Sequence, residues 1–357
     1  MAGSLVKNLI SLDYEDIIDY NFPLDEAFQI EVMYNNVQYD FIIRLSSKNK
    51  NLLSFGSAAF PRDKLDKDGN IIQPPYLNRW SWYKFFEESF IAYADSTFYL
   101  DDEIALGWYV GGKDWCLEKI ADIIEKICIN QNITNDNILF FGSSGGGFSS
   151  IGLATLLKDS KALVQISSFS VKDITDSHYG NLMKVLKKEF PDLSEEEITQ
   201  QLVHRLDLID LFKKEEYVPE IVYYVNVNSE RDLNERCIPF TNRLLELPFY
   251  KNDFVVHFYK DDDPYMGGHV AIETGKMVKI IKYYSRIWLY NNQNKPELIE
   301  MDKKYNDLSR KNKKKIKKLE QENKKLKKEN KKFKSSKSWK LTAPFRKLFS
   351  SIKKLLK

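Results

Sequence analysis

The sequence predicts an α/β protein, a mostly parallel β-sheet with helices on both faces and an antiparallel edge on its N-terminal side. Three observations carry this. Strand-like and helix-like stretches alternate over 89–166, the rhythm that builds a parallel sheet. Within them, the apolar run Asn137-Ile138-Leu139-Phe140-Phe141 breaks into Gly142-Ser143-Ser144-Gly145-Gly146 and restarts as a helix-like stretch over 147–157. Ahead of them, two alternating runs, 27–34 and 37–44, flank Asn35-Asn36, a hairpin signal.

Taken in order, residues 1–25 read as a helical or irregular lead. The hairpin follows, and 51–55 joins it in the antiparallel edge. Residues 61–78 are polar and hold Pro61, Pro74 and Pro75, so they read as a loop. A strand is expected near 89–94. Residues 115–130 show helical spacing through Leu117, Ile120, Ile123, Ile124 and Ile127. After the strand 137–141 and its helix, Ala162-Leu163-Val164-Gln165-Ile166 is the next strand. Residues 169–215 interrupt the rhythm with polar, helix-rich sequence, and Ser194-Glu195-Glu196-Glu197 is a helix start. This insertion reads either as a helical lid or as a structural addition. Strands follow at 221–227 and 254–259, and a last helix at 270–284.

The composition bounds the class. A chain of 357 residues with 43% apolar content holds one large domain with appendages, here 1–300. Cys116, Cys128 and Cys237 are scattered and follow no metal or disulfide spacing, and no motif calls for a cofactor. The chain turns acidic at Asp13 before a signal segment forms, and no run of 18 apolar residues exists, so the expectation is a cytoplasmic protein.

The net charge of +3 conceals an asymmetry. Residues 301–357 hold 23 Lys and Arg against 5 Asp and Glu, a net +18, so the rest of the chain carries −15. Asn312, Ile316, Leu319, Asn323, Leu326, Asn330 and Phe333 alternate in steps of four and three, a heptad seam that reads as a dimeric coiled coil over 301–334 or as a single charged helix. In 335–357, Phe345, Leu348, Phe349, Ile352, Leu355 and Leu356 share one helical face opposite Arg346, Lys347, Lys353, Lys354 and Lys357. That is an interfacial helix for anionic lipid at the inner membrane face, preferred over nucleic acid because aromatics are not interleaved with the basic run.

The chemistry sits in Gly142-Ser143-Ser144-Gly145-Gly146, which fits G-x-S-x-G. In a nucleophile elbow the central serine occupies a strained turn whose neighbours must be small. A serine hydroxyl needs a base, and the base an orienting acid, in the order Ser, acid, His along an α/β-hydrolase chain. Of His178, His204, His257 and His269, the last is best placed, in a loop after a strand and behind Gly267-Gly268. Asp232, in the loop after strand 221–227, is the first choice for the acid and Glu230 the alternative. The Gly145 N–H and that of Ser57 or Ala58, after strand 51–55, are the expected oxyanion donors. The glycine run lacks the Gly-Lys-Ser/Thr ending of a P-loop; a plain strand–helix turn, or a hydrolase fold that has lost its chemistry, are the other readings.

The stretches Arg79-Trp80-Ser81-Trp82, Tyr99-Leu100-Asp101-Asp102, Leu106-Gly107-Trp108-Tyr109 and the serine turn resemble α/β-hydrolase proteins of bacterial surface-polysaccharide biosynthesis. Ser338-Trp339-Lys340-Leu341-Thr342-Ala343-Pro344-Phe345-Arg346 is similar to a C-terminal motif of surface-glycan enzymes. The accessory-secretion O-acetyltransferases are more distantly similar. The resemblance implies a carbohydrate-linked acyl group as substrate, with a glycan or glycan precursor as partner. Two functions follow: a serine-dependent O-acyltransferase or esterase, and a catalytically silent scaffold for glycosyltransferases. A glycosyltransferase proper is disfavoured, because Asp261-Asp262-Asp263 lies too late for a metal-binding D-x-D.

Overall fold

Among the described residues, nine strands form one sheet in the computed structural model. It describes residues 5–62, 69, 72–173 and 176–290, and beyond them only Lys318, Lys324, Lys325 and Lys328, which are helical. The expected coiled coil (301–334) and tail helix (335–357) otherwise lie outside the described residues. Two compact units divide the chain, Met1–Asn291 and Asn292–Lys357.

The strands are β1 (Leu9–Asp13), β2 (Ala27–Tyr34), β3 (Val37–Arg44), β4 (Leu52–Gly56), β5 (Ser89–Tyr93), β6 (Ile138–Ser143), β7 (Lys161–Gln165), β8 (Glu220–Asn226) and β9 (Phe254–Tyr259). Their order is β1-β2-β3-β5-β4-β6-β7-β8-β9, and β3 alone runs antiparallel to its neighbours. The helices are α1 (Cys116–Gln131), α2 (Gly145–Leu156), α3 (Asp176–Glu189), α4 (Glu195–Gln201), α5 (Val203–Leu206), α6 (Leu208–Glu215), α7 (Ile238–Leu245) and α8 (Thr274–Leu289).

Strand alternation sends β6 side chains to both faces. Ile138 and Phe140 enter a core with α1, α2, α6 and α7, while Leu139 and Phe141 enter a second core with Met277, Ile281 and Leu289 of α8. The hairpin turns where expected: Tyr34 faces Val37, and Asn35 (φ 47°) and Asn36 (φ 63°) take the left-handed conformation that a two-residue turn needs. Ser194 caps α4 in a reciprocal capping box with Glu197.

Several elements differ from the sequence reading. The N-terminal lead contains a strand, β1, paired parallel to β2. Residues 51–55 do not belong to the antiparallel edge: β4 lies between β5 and β6, parallel to both, and β3 pairs with β5 instead. All five β4 residues are buried, as an interior parallel strand requires. The last helix starts at Thr274 rather than 270, where the Glu273 side chain accepts the Gly275 N–H and caps it. In the insertion, Leu208, Leu211 and Phe212 of α6 are buried in the core shared with α2, so α6 belongs to the body of the domain. Among the described residues, no helix is long and apolar enough to cross a membrane.

The elbow depends on backbone contact. A Cβ on Gly142 would sit 2.0 Å from the Gly146 carbonyl oxygen, and one on Gly146 would sit 2.5 Å from the Gly56 carbonyl oxygen. Neither neighbour is a side chain that can swing aside. Gly142→Ala is therefore expected to cost about 3 kcal/mol or more, read by urea denaturation. Gly180→Ala, in α3 with nothing within 4 Å of the new Cβ, should be neutral or stabilising by up to about 1 kcal/mol.

Candidate active site

β6 ends at Ser143, and Ser144 turns the chain into α2 with φ 54° and ψ −126°, a combination that a non-glycine residue takes only under constraint. The constraint is visible. The Ser144 N–H reaches the Gln165 and Ile166 carbonyls at 3.3 and 3.2 Å, and its own carbonyl accepts from Gly147 and Phe148. The turn lifts the Ser144 side chain off the C-terminal edge of the sheet, at the start of α2, where the first N–H groups have no intrahelical partner.

His269 arrives from the other side. After β9 the chain passes Gly267 (φ 67°) and Gly268 (φ 84°), and Asn226 at the end of β8 donates to the Gly268 carbonyl at 2.9 Å. A Cβ on Gly268 would press on the Asn228 backbone at 3.0 Å, so the loop closes tightly over β8. This sets His269 Nε2 3.2 Å from Ser144 Oγ. Its Nδ1 lies 2.7 and 2.9 Å from the two oxygens of Asp232. A carboxylate against Nδ1 requires a proton there, so in the neutral ring Nε2 presents a lone pair toward the serine hydroxyl.

Asp232 has no exposed surface. It lies not in a loop, as the sequence reading had it, but in the first turn of a π-helical segment, Arg231–Cys237. The Ser229 hydroxyl donates to one of its oxygens at 2.8 Å and Arg236 Nη1 to the other at 2.7 Å. Burial alone would raise the carboxyl's pKa. The hydrogen bond and charge of His269, the Arg236 guanidinium and the Ser229 hydroxyl together outweigh burial and hold it below the usual value of 3.8. Glu230, the alternative acid, is exposed and lines a groove of about 560 Å³ with Asp261, Asp262 and Asp263.

The remaining histidines do other work. His257 stacks on Tyr224 and meets the Tyr284 hydroxyl at 2.8 Å; His204 packs edge-on against Trp115. His178 lies in α3.

The expected oxyanion donors divide. Gly145 N–H has no partner among the described residues, and Leu106 covers that glycine so closely that a Cβ would lie 2.6 Å from its Cδ1. Ser57 is committed elsewhere: its N–H donates to the buried Tyr109 hydroxyl at 2.7 Å, and that hydroxyl donates back to the Ser57 carbonyl at 2.9 Å. Ala58 is half-buried and donates to Asn78 Oδ1 at 2.8 Å. Tyr109 is itself anchored by Asp95, whose buried carboxyl accepts its N–H at 3.0 Å and is pushed up to about 6 by burial.

Sequence reasoning missed Arg236, Ser229, Tyr109 and Asn78. Arg236 carries a signal, an acid–base pair four residues apart on one helical face. Tyr109 and Asn78 reach Ser57 and Ala58 across 52 and 20 residues, and no local pattern announces them. No group of three or more His, Cys, Asp or Glu among the described residues is arranged to hold a metal.

The strand order, the serine turn after a central strand, and an acid and a histidine following β8 and β9 define the α/β-hydrolase fold. No family model matches the chain, and no curated protein matches its sequence. Among solved structures, the chain is similar to the capsule O-acetyltransferase of Neisseria meningitidis serogroup A, at 14% identity and TM-score 0.52, over 71% of this chain and 96% of that one. A mutant of that enzyme in complex with CoA gives 0.53 at 14% identity, over 71% and 94% of the two chains. The glycosylation-associated protein (Gap123) complex from Streptococcus agalactiae gives 0.50 at 12% identity, over 74% of this chain and 47% of that one. At such identities the likeness is one of fold.

Because Asp232 is held below its usual pKa, it contributes stability that is full above its unfolded value of about 3.8 and is lost as the pH falls through the lower folded value. Arg236→Met removes one of the groups that lower it. That variant should lose about 3 kcal/mol at pH 7, and because the folded pKa of Asp232 rises toward its unfolded value, its further loss on acidification should be smaller than in the wild type and complete at a higher pH. Urea denaturation at pH 7 and at stepwise lower pH measures both effects.

Proposed function

We propose that the protein is a serine-dependent acyl-ester enzyme, an O-acyltransferase or esterase acting on a surface glycan or its precursor. The observation that carries this reading is His269 bridging Ser144 Oγ at 3.2 Å and the buried Asp232 at 2.7 Å. Ser144 Oγ attacks the acyl carbonyl while His269 Nε2 takes its proton. The Asp232 carboxylate, fixed by Arg236 and Ser229, stabilises the imidazolium. The carbonyl oxygen, now negative, accepts from the Gly145 N–H and from the Ala58 N–H once Asn78 turns away. Collapse breaks the bond to the leaving group, which takes the proton from His269 and leaves an acyl ester on Ser144. A sugar hydroxyl or water then gives its proton to His269 and attacks that ester, releasing the acyl product and restoring Ser144.

The glycan as substrate is supported by the resemblance in the serine-turn stretches and by the capsule O-acetyltransferase among similar folds. That enzyme's complex with CoA makes an acyl thioester one donor to test. The +18 of residues 301–357 supports docking on an anionic membrane face, and the heptad seam supports a coiled-coil homodimer. A glycosyltransferase partner is in keeping with the fold's likeness to the glycosylation-associated complex.

One observation favours the second reading, a silent scaffold: Asn78 Oδ1 accepts the Ala58 N–H that an ester oxygen would need. Covalent labelling by a fluorophosphonate probe separates the two. Labelling of the wild type that disappears in both Ser144→Ala and His269→Ala is the expected result. A folded wild type that does not label supports the scaffold. With a labelling enzyme in hand, Asp232→Asn should lower the acyl-transfer rate by about 10³- to 10⁴-fold, measured with an aryl acetate.

A further inference from the structure

The segment Asn78-Arg79 spans the two strand ends between which an ester carbonyl would sit. Asn78 meets Ala58 just past β4, and Arg79 Nη2 meets Ser143 Oγ at the end of β6 at 2.9 Å. Ser143 and Ser144 are consecutive, so their Cα atoms are about 3.8 Å apart. Arg79 therefore lies beside the elbow, half-buried, with its guanidinium carbon 5.4 Å from the centre of the Trp82 ring and 5.7 Å from that of Phe141.

Among the described residues, Arg79 has neither a carboxylate nor a carbonyl as acceptor. Arg44, Arg62 and Arg205 are tied to backbone carbonyls, and Arg236 and Arg243 to carboxylates. Arg79 has only the Ser143 hydroxyl among the described residues, although a guanidinium carries five N–H donors. Its other nitrogens are not among the fully buried side-chain atoms without a partner. Its backbone is left-handed (φ 56°), a conformation that costs a non-glycine residue energy and tends to be held at functional positions. The aromatic cradle fixes the orientation of the cation, and burial disfavours its charge. A fork held in this way, with no anion beside it among the described residues, is arranged for one from outside.

We infer that Arg79 binds an oxyanion group of the substrate, phosphate or carboxylate, next to the ester that Ser144 attacks. This rests on the acyl-ester reading of Ser144 and narrows it to anionic donors or acceptors. A neutral ester binds without that contact; an anionic one is anchored by it.

Calorimetric titration of the full chain with inorganic phosphate, and separately with acetate, tests the site without requiring catalysis. The wild type should bind at least one of the two anions, and the one bound identifies the group recognised. Arg79→Gln should weaken that binding by about tenfold or more. Arg79→Met, whose apolar stem keeps the packing on Trp82 and Phe141, is the second variant should the first misfold. Ser144→Ala should bind as the wild type does. No binding to the wild type, or equal binding to the wild type and both Arg79 variants, overturns the inference. Anion binding that depends on Arg79 in a protein that resists fluorophosphonate leaves the anion site standing and removes the hydrolase reading. With a labelling enzyme, the ratio of kcat/KM for an anionic over a neutral aryl ester should fall in Arg79→Gln, which a purely structural role would not produce.

Discussion

Asp232 is a carboxylate with no access to water, and the geometry of the site follows from how its charge is satisfied. A buried anion is tolerated only with partners on every side. Here Arg236 supplies the opposite charge from the next helical turn, Ser229 supplies a hydroxyl, and His269 supplies the remaining donor. The imidazole has little choice of position. Its Nδ1 is claimed by the carboxylate, and the loop that carries it is closed down on β8 by Asn226, so Nε2 points at Ser144. The orientation of the His269 ring is thus a by-product of stabilising a buried acid.

A second constraint acts at the serine turn itself. The serine turn brings α2 so close to β4 and β6 that backbone meets backbone, and only glycine fits at 142 and 146. The same crowding carries the β4 loop up against the start of α2. There Tyr109 holds Ser57 through both its N–H and its carbonyl, while the Ala58 N–H donates to the Asn78 side chain. Tyr109 in turn depends on Asp95, a second buried carboxyl, and this one is satisfied by backbone N–H groups rather than by a cation. The two acids differ accordingly: the charge partners of Asp232 hold its pKa down, while burial raises that of Asp95.

The Arg79 guanidinium completes the surroundings of the elbow from a stretch, 76–79, that has little regular structure of its own. It is positioned by rings from two elements, Trp82 in the turn that follows and Phe141 in β6, and by a hydroxyl one residue from Ser144. Polarity is thus distributed unevenly around Ser144, with an anion buried behind His269 and, beside the turn, a cation that has no carboxylate partner among the described residues.

Local chemistry was legible in the chain and long-range chemistry was not. Asn35-Asn36 between alternating runs announces a hairpin because two adjacent residues decide the turn. The glycines around Ser144 announce an elbow because the steric demand falls on the same five residues that make it. Position in a loop after a strand, behind Gly267-Gly268, favours His269 among four histidines. The sequence alone left Asp232 and Glu230 open, and likewise Ser57 and Ala58, since each pair lies close along the chain. The fold separates them: a helical turn buries Asp232 and exposes Glu230, and Tyr109 occupies Ser57. Nor does any local pattern reveal that β5 slips between β3 and β4, since a strand buried on both faces looks the same wherever in the sheet it lies. Turns, helix starts and candidate side chains could be read along the chain because they depend on neighbours a few residues away. Only the tertiary structure decided which of them meet, because the carboxylate, the base and the elbow are brought together by contacts spanning 37 and 125 residues.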